Sequence, residues 1–415
     1  MNKKYVILIF TMFFFYGCSF KYDKNAKYDL RVNNENRLII SGDIVKNKKS
    51  NKNIYVVLYK HTKGDINKLE NYKLIDFSSH YKSDKYEFFI NKGTYFIYAC
   101  QNLETLRNKK YAYEFLSDLI YVNNETETKV DIKLNEIPSL TIEDNILISS
   151  TKDKSIFKEF GMIEKRFLND KIFKRKNASL GLWNPLEFFS KIGGGVYLLG
   201  DYNKSKKIVL FVHGMNGTPL DFKTIINNLD KEKYLPIVYY YSTGINLNYS
   251  VDGLKLSLDK LNEKYPFNEL YIIAHSMGGL VSKGLINIYS SKTNIKKFIS
   301  ISTPWNGQKF AKLGKRLSTN LKGSFENMVP GSAFIENNIS IKKAEDMKYY
   351  LFFSYKGTNS LILDTSNDGV ISLSSQLYEK VQKTADKVYG IDKNHIDILS
   401  SKITIDLINN ILEED

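Results

Sequence analysis

The stretch from Leu270 to Gly279 constrains the fold more than any other part of the chain. The apolar run Leu270-Tyr271-Ile272-Ile273-Ala274 leads into His275-Ser276-Met277-Gly278-Gly279, and helical sequence resumes at Leu280. A short apolar run bounded by small residues reads as a strand buried on both faces. Its direct passage into a helix predicts a sharp turn that brings the positions two before and two after Ser276 together, so Ala274 and Gly278 are small for a steric reason. The serine between them is then raised above the sheet beside a helix N-terminus, where a developing negative charge is favoured.

The surrounding sequence repeats the same alternation. Residues 208–212 and 236–241 are apolar runs, 220–229 is helical, and 250–265 places Val251, Leu254, Leu258 and Leu261 on one helical face. Strand and helix in turn argue for an α/β class with a mostly parallel sheet covered on both faces. At 415 residues the chain is long enough for two folded units.

Three more segments carry chemistry. Phe211-Val212-His213-Gly214-Met215-Asn216-Gly217 closes the 208–212 run and continues directly from it. Ser366-Asn367-Asp368-Gly369-Val370-Ile371 and Asn394-His395-Ile396-Asp397-Ile398 come later, in the order serine, acid, histidine. Of the five histidines, His61 and His80 lie in polar loop stretches of the N-terminal part and His213 and His275 sit beside other motifs, which leaves His395 as the candidate base. Asp364 and Asp397 compete as the acid, and the turn context favours Asp368.

Together these motifs resemble the alpha/beta-hydrolase family, and bacterial lipases and esterases in particular. Ile301-Ser302-Thr303-Pro304-Trp305-Asn306-Gly307 and Met328-Val329-Pro330-Gly331-Ser332 extend the resemblance, which covers about residues 206–412. It implies an alpha/beta-hydrolase fold and cleavage of carboxylic esters through a Ser276-Asp368-His395 triad and an acyl-enzyme. It also implies an oxyanion hole formed by the amides of Met215 and Met277, with His213 and Gly214 shaping the loop. No metal or organic cofactor is called for. The substrate is an acyl ester or lipid, and lipase, carboxylesterase, phospholipase and thioesterase stay open. Residues 306–339, with Phe310, Leu313, Leu317, Leu321, Phe325 and Met328, read equally as a lid over an acyl site or as core packing. A reading of another class is a lipid-anchored surface binding protein whose hydrolase fold is inactive.

The N-terminus has Lys3 and Lys4 followed by an apolar stretch over 5–15, too short to span a bilayer, as in a secretory signal over 1–17. It ends on Phe15-Tyr16-Gly17-Cys18, which resembles the lipobox of bacterial lipoproteins and implies lipid attachment at Cys18, export to the cell envelope and membrane tethering. A bond between the only two cysteines, Cys18 and Cys100, is the alternative. After a tether over 18–36, the apolar residues of 37–137 alternate in short runs separated by turn residues, which predicts a small all-β sandwich. That module resembles the prealbumin-like modules of exported enzymes. Residues 138–186 read as a linker with peripheral elements, helical over 154–168, and 187–415 as the catalytic domain. The net charge of +15 is spread among acidic residues rather than gathered into a run, so no nucleic-acid partner is expected.

Overall fold

The computed structural model describes residues 38–45, 54–65, 71–80, 85–90, 92–101, 112–123, 127–137, 160–183, 185–289, 294–308, 322–338, 344, 346–357 and 366–414. The contacts divide the chain into two compact units. One is built from Ile163–Leu182 and Gly195–Asp415, and the other from Arg31–Met162 with Trp183–Gly194.

The N-terminal unit holds two β sheets. Leu38–Val45 pairs antiparallel with Lys85–Ile90 and parallel with Glu127–Lys129 and Ile132–Lys133. In the second sheet Gly93–Gln101 lies between Ile54–His61 and Ala112–Leu116, and Tyr72–His80 forms an outer strand. Period-2 alternation places Leu38 and Ile40 from one sheet against Ile54, Val56, Leu58, Tyr95 and Ile97 from the other, in one buried cluster. Tyr59, on the opposite face, is buried as well, stacked on Phe96 at 4.6 Å. His61 and His80 end strands rather than occupying loops, and the His61 ring packs 5.2 Å from that of Tyr72.

The second unit is built on an eight-stranded sheet. In chain order its strands are β1 (Phe160–Lys165), β2 (Gly194–Leu198), β3 (Lys207–Val212), β4 (Tyr234–Tyr240), β5 (Leu270–His275), β6 (Ile295–Ile301), β7 (Lys348–Ser354) and β8 (Lys387–Ile391). They lie side by side as β1-β2-β4-β3-β5-β6-β7-β8. From β4 to β8 every pairing is parallel, and β2 runs antiparallel to β4. This is an alpha/beta-hydrolase fold. All six residues of β5 are buried, as a central strand covered on both faces requires. The helix Leu247–Lys264 buries Val251, Leu254, Leu258 and Leu261, the face marked by their spacing.

The helix expected over 154–168 is replaced, where the chain is described, by β1. Phe160–Lys165 joins the edge of the sheet next to β2, and the N–H of Arg166 continues the pairing to the carbonyl of Leu198 at 2.9 Å. Sheet hydrogen bonds outweigh a weak local helical pattern there. The segment read as linker and peripheral elements thus supplies β1 and the helix Arg175–Trp183.

Of residues 306–339, Phe325 and Met328 are buried in the core, and Phe310, Leu313, Leu317 and Leu321 lie outside the described residues. The short helix Lys322–Asn327 is tied down where Asn327 Oδ1 accepts the N–H of Leu247 at 2.6 Å. Among the described residues no helix is long and apolar enough to cross a membrane.

Candidate active site

Parallel strands present their C-terminal ends along one edge of a sheet, and the loops after β3, β5, β7 and β8 gather there. Ser276 directly follows β5 with φ of 53°, in the left-handed region. That conformation costs a non-glycine residue roughly 1–2 kcal/mol, so neighbouring groups must hold it. Its N–H donates to the carbonyl of Ile301 at 2.8 Å, and its own carbonyl accepts from the N–H of Gly279 at 2.9 Å.

Gly278 is confined by the neighbouring strand as well as by the turn that its spacing predicted. A Cβ on Gly278 would lie 2.2 Å from the carbonyl oxygen of Val212 and 2.6 Å from that of His213, so the end of β3 excludes a side chain there. The same crowding brings the 213–217 loop against the elbow: a Cβ on Gly214 would sit 2.9 Å from Ser276 Cβ.

His395 Nε2 lies 3.0 Å from Ser276 Oγ, and His395 Nδ1 lies 2.7 Å from Asp368 Oδ2. The N–H of His395 also donates to the backbone carbonyl of Asp368 at 2.9 Å, which joins the loops after β7 and β8. Asp368 is fully buried, with four donors on its carboxylate. Oδ1 accepts the N–H groups of Val370 (2.9 Å) and Ile371 (2.7 Å), and Oδ2 accepts Ser354 Oγ (2.7 Å) beside His395. Burial alone would raise its pKa. The His395 ring, the Ile371 amide and the Ser354 hydroxyl more than offset that and hold the carboxyl below the usual carboxylate value. With Asp368 accepting at Nδ1–H, Nε2 is left as the acceptor for the serine hydroxyl. Of the competing acids, Asp397 is exposed and accepts Asn394 Nδ2 at 2.7 Å, and Asp364 lies outside the described residues.

Several residues that complete this arrangement were given no role by the sequence. Ser354, the last residue of β7, has its backbone clamped by one side chain: Gln376 Oε1 accepts its N–H and Gln376 Nε2 donates to its carbonyl, both at 3.0 Å. Ser302 donates onward to Ser354 Oγ at 2.6 Å, given that the Ser354 hydroxyl points at Asp368. His275, beside the serine, donates from Nε2 to the carbonyl of His395 at 2.8 Å, and the two rings lie 4.7 Å apart. Burial and the neighbouring His395 lower its pKa to about 3, so it is neutral at physiological pH.

His213 is buried and makes no contact of this kind. Its Nδ1 donates to the carbonyl of Gly214 at 2.9 Å, its ring stacks on Tyr241 at 4.5 Å, and burial lowers its pKa to about 3. The turn Gly214–Gly217 closes through the N–H of Gly217 on the carbonyl of Gly214 at 3.0 Å and carries Met215. Met277 is the first residue of the helix Met277–Tyr289, so its amide belongs to the first turn, whose N–H groups have no intrahelical acceptor. Cys18 lies outside the described residues.

Residues 243–414 match the model of a family of alpha/beta hydrolases of unknown function. No curated protein matches the chain. Among solved structures, a Bacillus licheniformis lipase in its mature form is 15% identical, covering 51% of this chain and 94% of its own, with a TM-score of 0.41. A Pyrococcus furiosus esterase is 16% identical over 53% of this chain and 85% of its own, with a TM-score of 0.40. A Listeria innocua protein is 13% identical over 51% and 95%, with a TM-score of 0.39.

Proposed function

We propose that this protein is a serine ester hydrolase, a lipase or carboxylesterase acting on acyl esters. The observation that carries the reading is the unbroken chain from Ser276 Oγ through His395 to Asp368, at 3.0 and 2.7 Å, on a serine held at positive φ.

Neutral His395 takes the Ser276 hydroxyl proton at Nε2 as Oγ attacks the ester carbonyl. The carbonyl electrons move onto oxygen, where the amides of Met215 and Met277 stabilise the charge; one such donor is worth about 2.7–4 kcal/mol in the transition state. Asp368 fixes the ring tautomer and stabilises the imidazolium. The tetrahedral adduct collapses, the bond to the alcohol oxygen breaks, and His395 returns its proton to the leaving alkoxide. Water then attacks the acyl-enzyme by the same steps and frees the serine and the acid.

Labelling with a fluorophosphonate probe tests the mechanism: the wild-type protein is expected to label and Ser276→Ala is not. Equal labelling of both would overturn it. Rates on p-nitrophenyl esters from acetate to palmitate assign the acyl length, and a maximum at short chains would make the protein an esterase rather than a lipase. Phospholipid and acyl-thioester substrates in the same assay separate those two activities.

The sequence before the folded units supports a location. The signal-like 1–17 segment and Gly17-Cys18 favour export and a lipid on Cys18, which would tether the enzyme in the cell envelope, since each buried methylene of an acyl chain contributes about 0.8 kcal/mol. A Cys18→Ser protein is expected to leave the membrane fraction, and its retention there would count against the anchor.

A further inference from the structure

The turn that carries Met215 does not hold its shape alone. Asn216 occupies its third position with φ of 52°, in the region that favours glycine, and it is buried. Groups outside the turn fix it. Its N–H donates to Thr243 Oγ1 at 3.1 Å, and its carbonyl accepts from Arg175 Nη1 at 2.9 Å. The other prong of the guanidinium, Nη2, donates to Asp221 Oδ1 at 2.6 Å, and Asp221 Oδ2 accepts the N–H of Thr218 at 2.9 Å. One planar group therefore braces the carbonyl of the turn and the capping box that follows it, a two-pronged geometry that only arginine supplies.

The opposite end of the turn lies against the serine. Gly214 approaches Ser276 so closely that a methyl group would not fit, and any rotation of the turn would shift the Met215 amide relative to Ser276 Oγ. The stretch that supports the turn comes from far off in sequence. Arg175 opens the helix Arg175–Trp183, whose Gly181 carbonyl accepts both the N–H of Gly244 at 3.0 Å and Ser242 Oγ at 2.5 Å, which fixes the segment carrying Thr243. Arg175 itself is about half exposed, with 47% of its side chain accessible, so its ion pair is screened and adds little to stability.

We propose that Arg175 is a positioning residue for the oxyanion loop, holding the Met215 amide toward the charge that forms on the substrate oxygen. This rests on the serine-hydrolase reading, and it makes residues 163–182 part of the catalytic apparatus rather than a connection to it.

The test uses the full chain as wild type, Arg175→Ala, Arg175→Lys and Ser276→Ala, with active sites counted by fluorophosphonate titration and p-nitrophenyl butyrate as substrate. Arg175→Ala is expected to lower kcat per titrated site by about 10- to 100-fold, the scale of a weakened oxyanion donor, with KM changed less than threefold. A trifluoromethyl ketone, whose serine adduct is a tetrahedral oxyanion, should bind more weakly by the factor that kcat/KM falls. Arg175→Lys keeps the charge but not the fork and should fall between wild type and Arg175→Ala. Wild-type kcat per site in both variants would overturn the proposal, and so would a loss of titratable sites with normal turnover at the remainder, which marks a purely structural role. A wild-type protein that neither labels nor turns over, or a Ser276→Ala protein as active as wild type, would instead remove the serine-hydrolase reading beneath it.

Discussion

The Nε2 of His275 lies 2.8 Å from the carbonyl oxygen of His395, joining the residue before the serine to the residue that faces it across 120 positions of sequence. This bond ties the β5 elbow to the loop after β8 independently of Asp368. His275 is buried and neutral, so the bond is shielded from solvent and does not switch in the physiological pH range.

Removing that donor leaves the buried His395 carbonyl unpaired, a penalty of about 1–3 kcal/mol. Part of it should be felt as displacement of the base. His275→Ala is expected to lower kcat about tenfold or more while Ser276 still labels with a fluorophosphonate, only more slowly. Stopped-flow labelling rates beside steady-state kcat check this, and an unchanged kcat would show that the loop holds its place without His275.

Asp368→Asn keeps the shape of the acid but reverses the hydrogen bonding at His395 Nδ1, favouring the tautomer that cannot accept from Ser276. The expected loss in kcat is about 10³- to 10⁴-fold, by analogy with triads in which the same change traps the wrong tautomer. Ester hydrolysis by the purified variant measures it. Ser354→Ala removes one of the four donors to the same carboxylate and should cost far less.

Stability should fall with acid well above the carboxylate range. His213 and His275 have folded-state pKa values of about 3, and an unfolded histidine titrates near 6.5. Between those limits the unfolded chain binds protons that the folded chain does not, so unfolding free energy falls as pH drops below about 6.5, with a slope approaching 1.4 kcal/mol per pH unit for each ring. The carboxyl of Asp368 acts in the same direction at lower pH. Its folded pKa lies below the usual value, so its contribution is present above the unfolded value near 3.9 and is lost as pH falls through the folded one. Urea unfolding at pH 7.5, 6 and 5 tests the histidine contribution, and His275→Gln should remove about half of the slope seen between pH 6 and 5.

Lys297 on β6 is buried and donates from Nζ to the carbonyls of Ile411 (2.8 Å), Leu412 (3.2 Å) and Glu414 at the end of the helix Lys402–Glu413. Its three donors match three terminal carbonyls that have no intrahelical partner. Lys297→Met should destabilise the catalytic unit by about 2–3 kcal/mol with no change in kcat at 25 °C. Urea midpoints and steady-state rates measured on one preparation separate the two effects.

Sequence alone determined the parts whose causes are local. Strand–helix alternation fixes the α/β class, and the small residues around Ser276 mark a sharp turn after a buried strand, because both depend on neighbours within a few positions. Tertiary structure decided which distant groups meet. The order β1-β2-β4-β3-β5-β6-β7-β8 sets β3 beside β5, so the carbonyl of Val212 excludes a side chain at Gly278, a reason no spacing near Ser276 contains. The same order brings the loops after β5, β7 and β8 together, so Asp368 faces His395 while Asp397 turns to Asn394 and solvent. Ser354, Gln376 and Arg175 were silent in the sequence, and His275 showed there only as a neighbour of Ser276, for the same physical reason: each acts through a hydrogen bond to a residue brought near only by the packed sheet, and such a bond leaves no period or motif in the chain that encodes it.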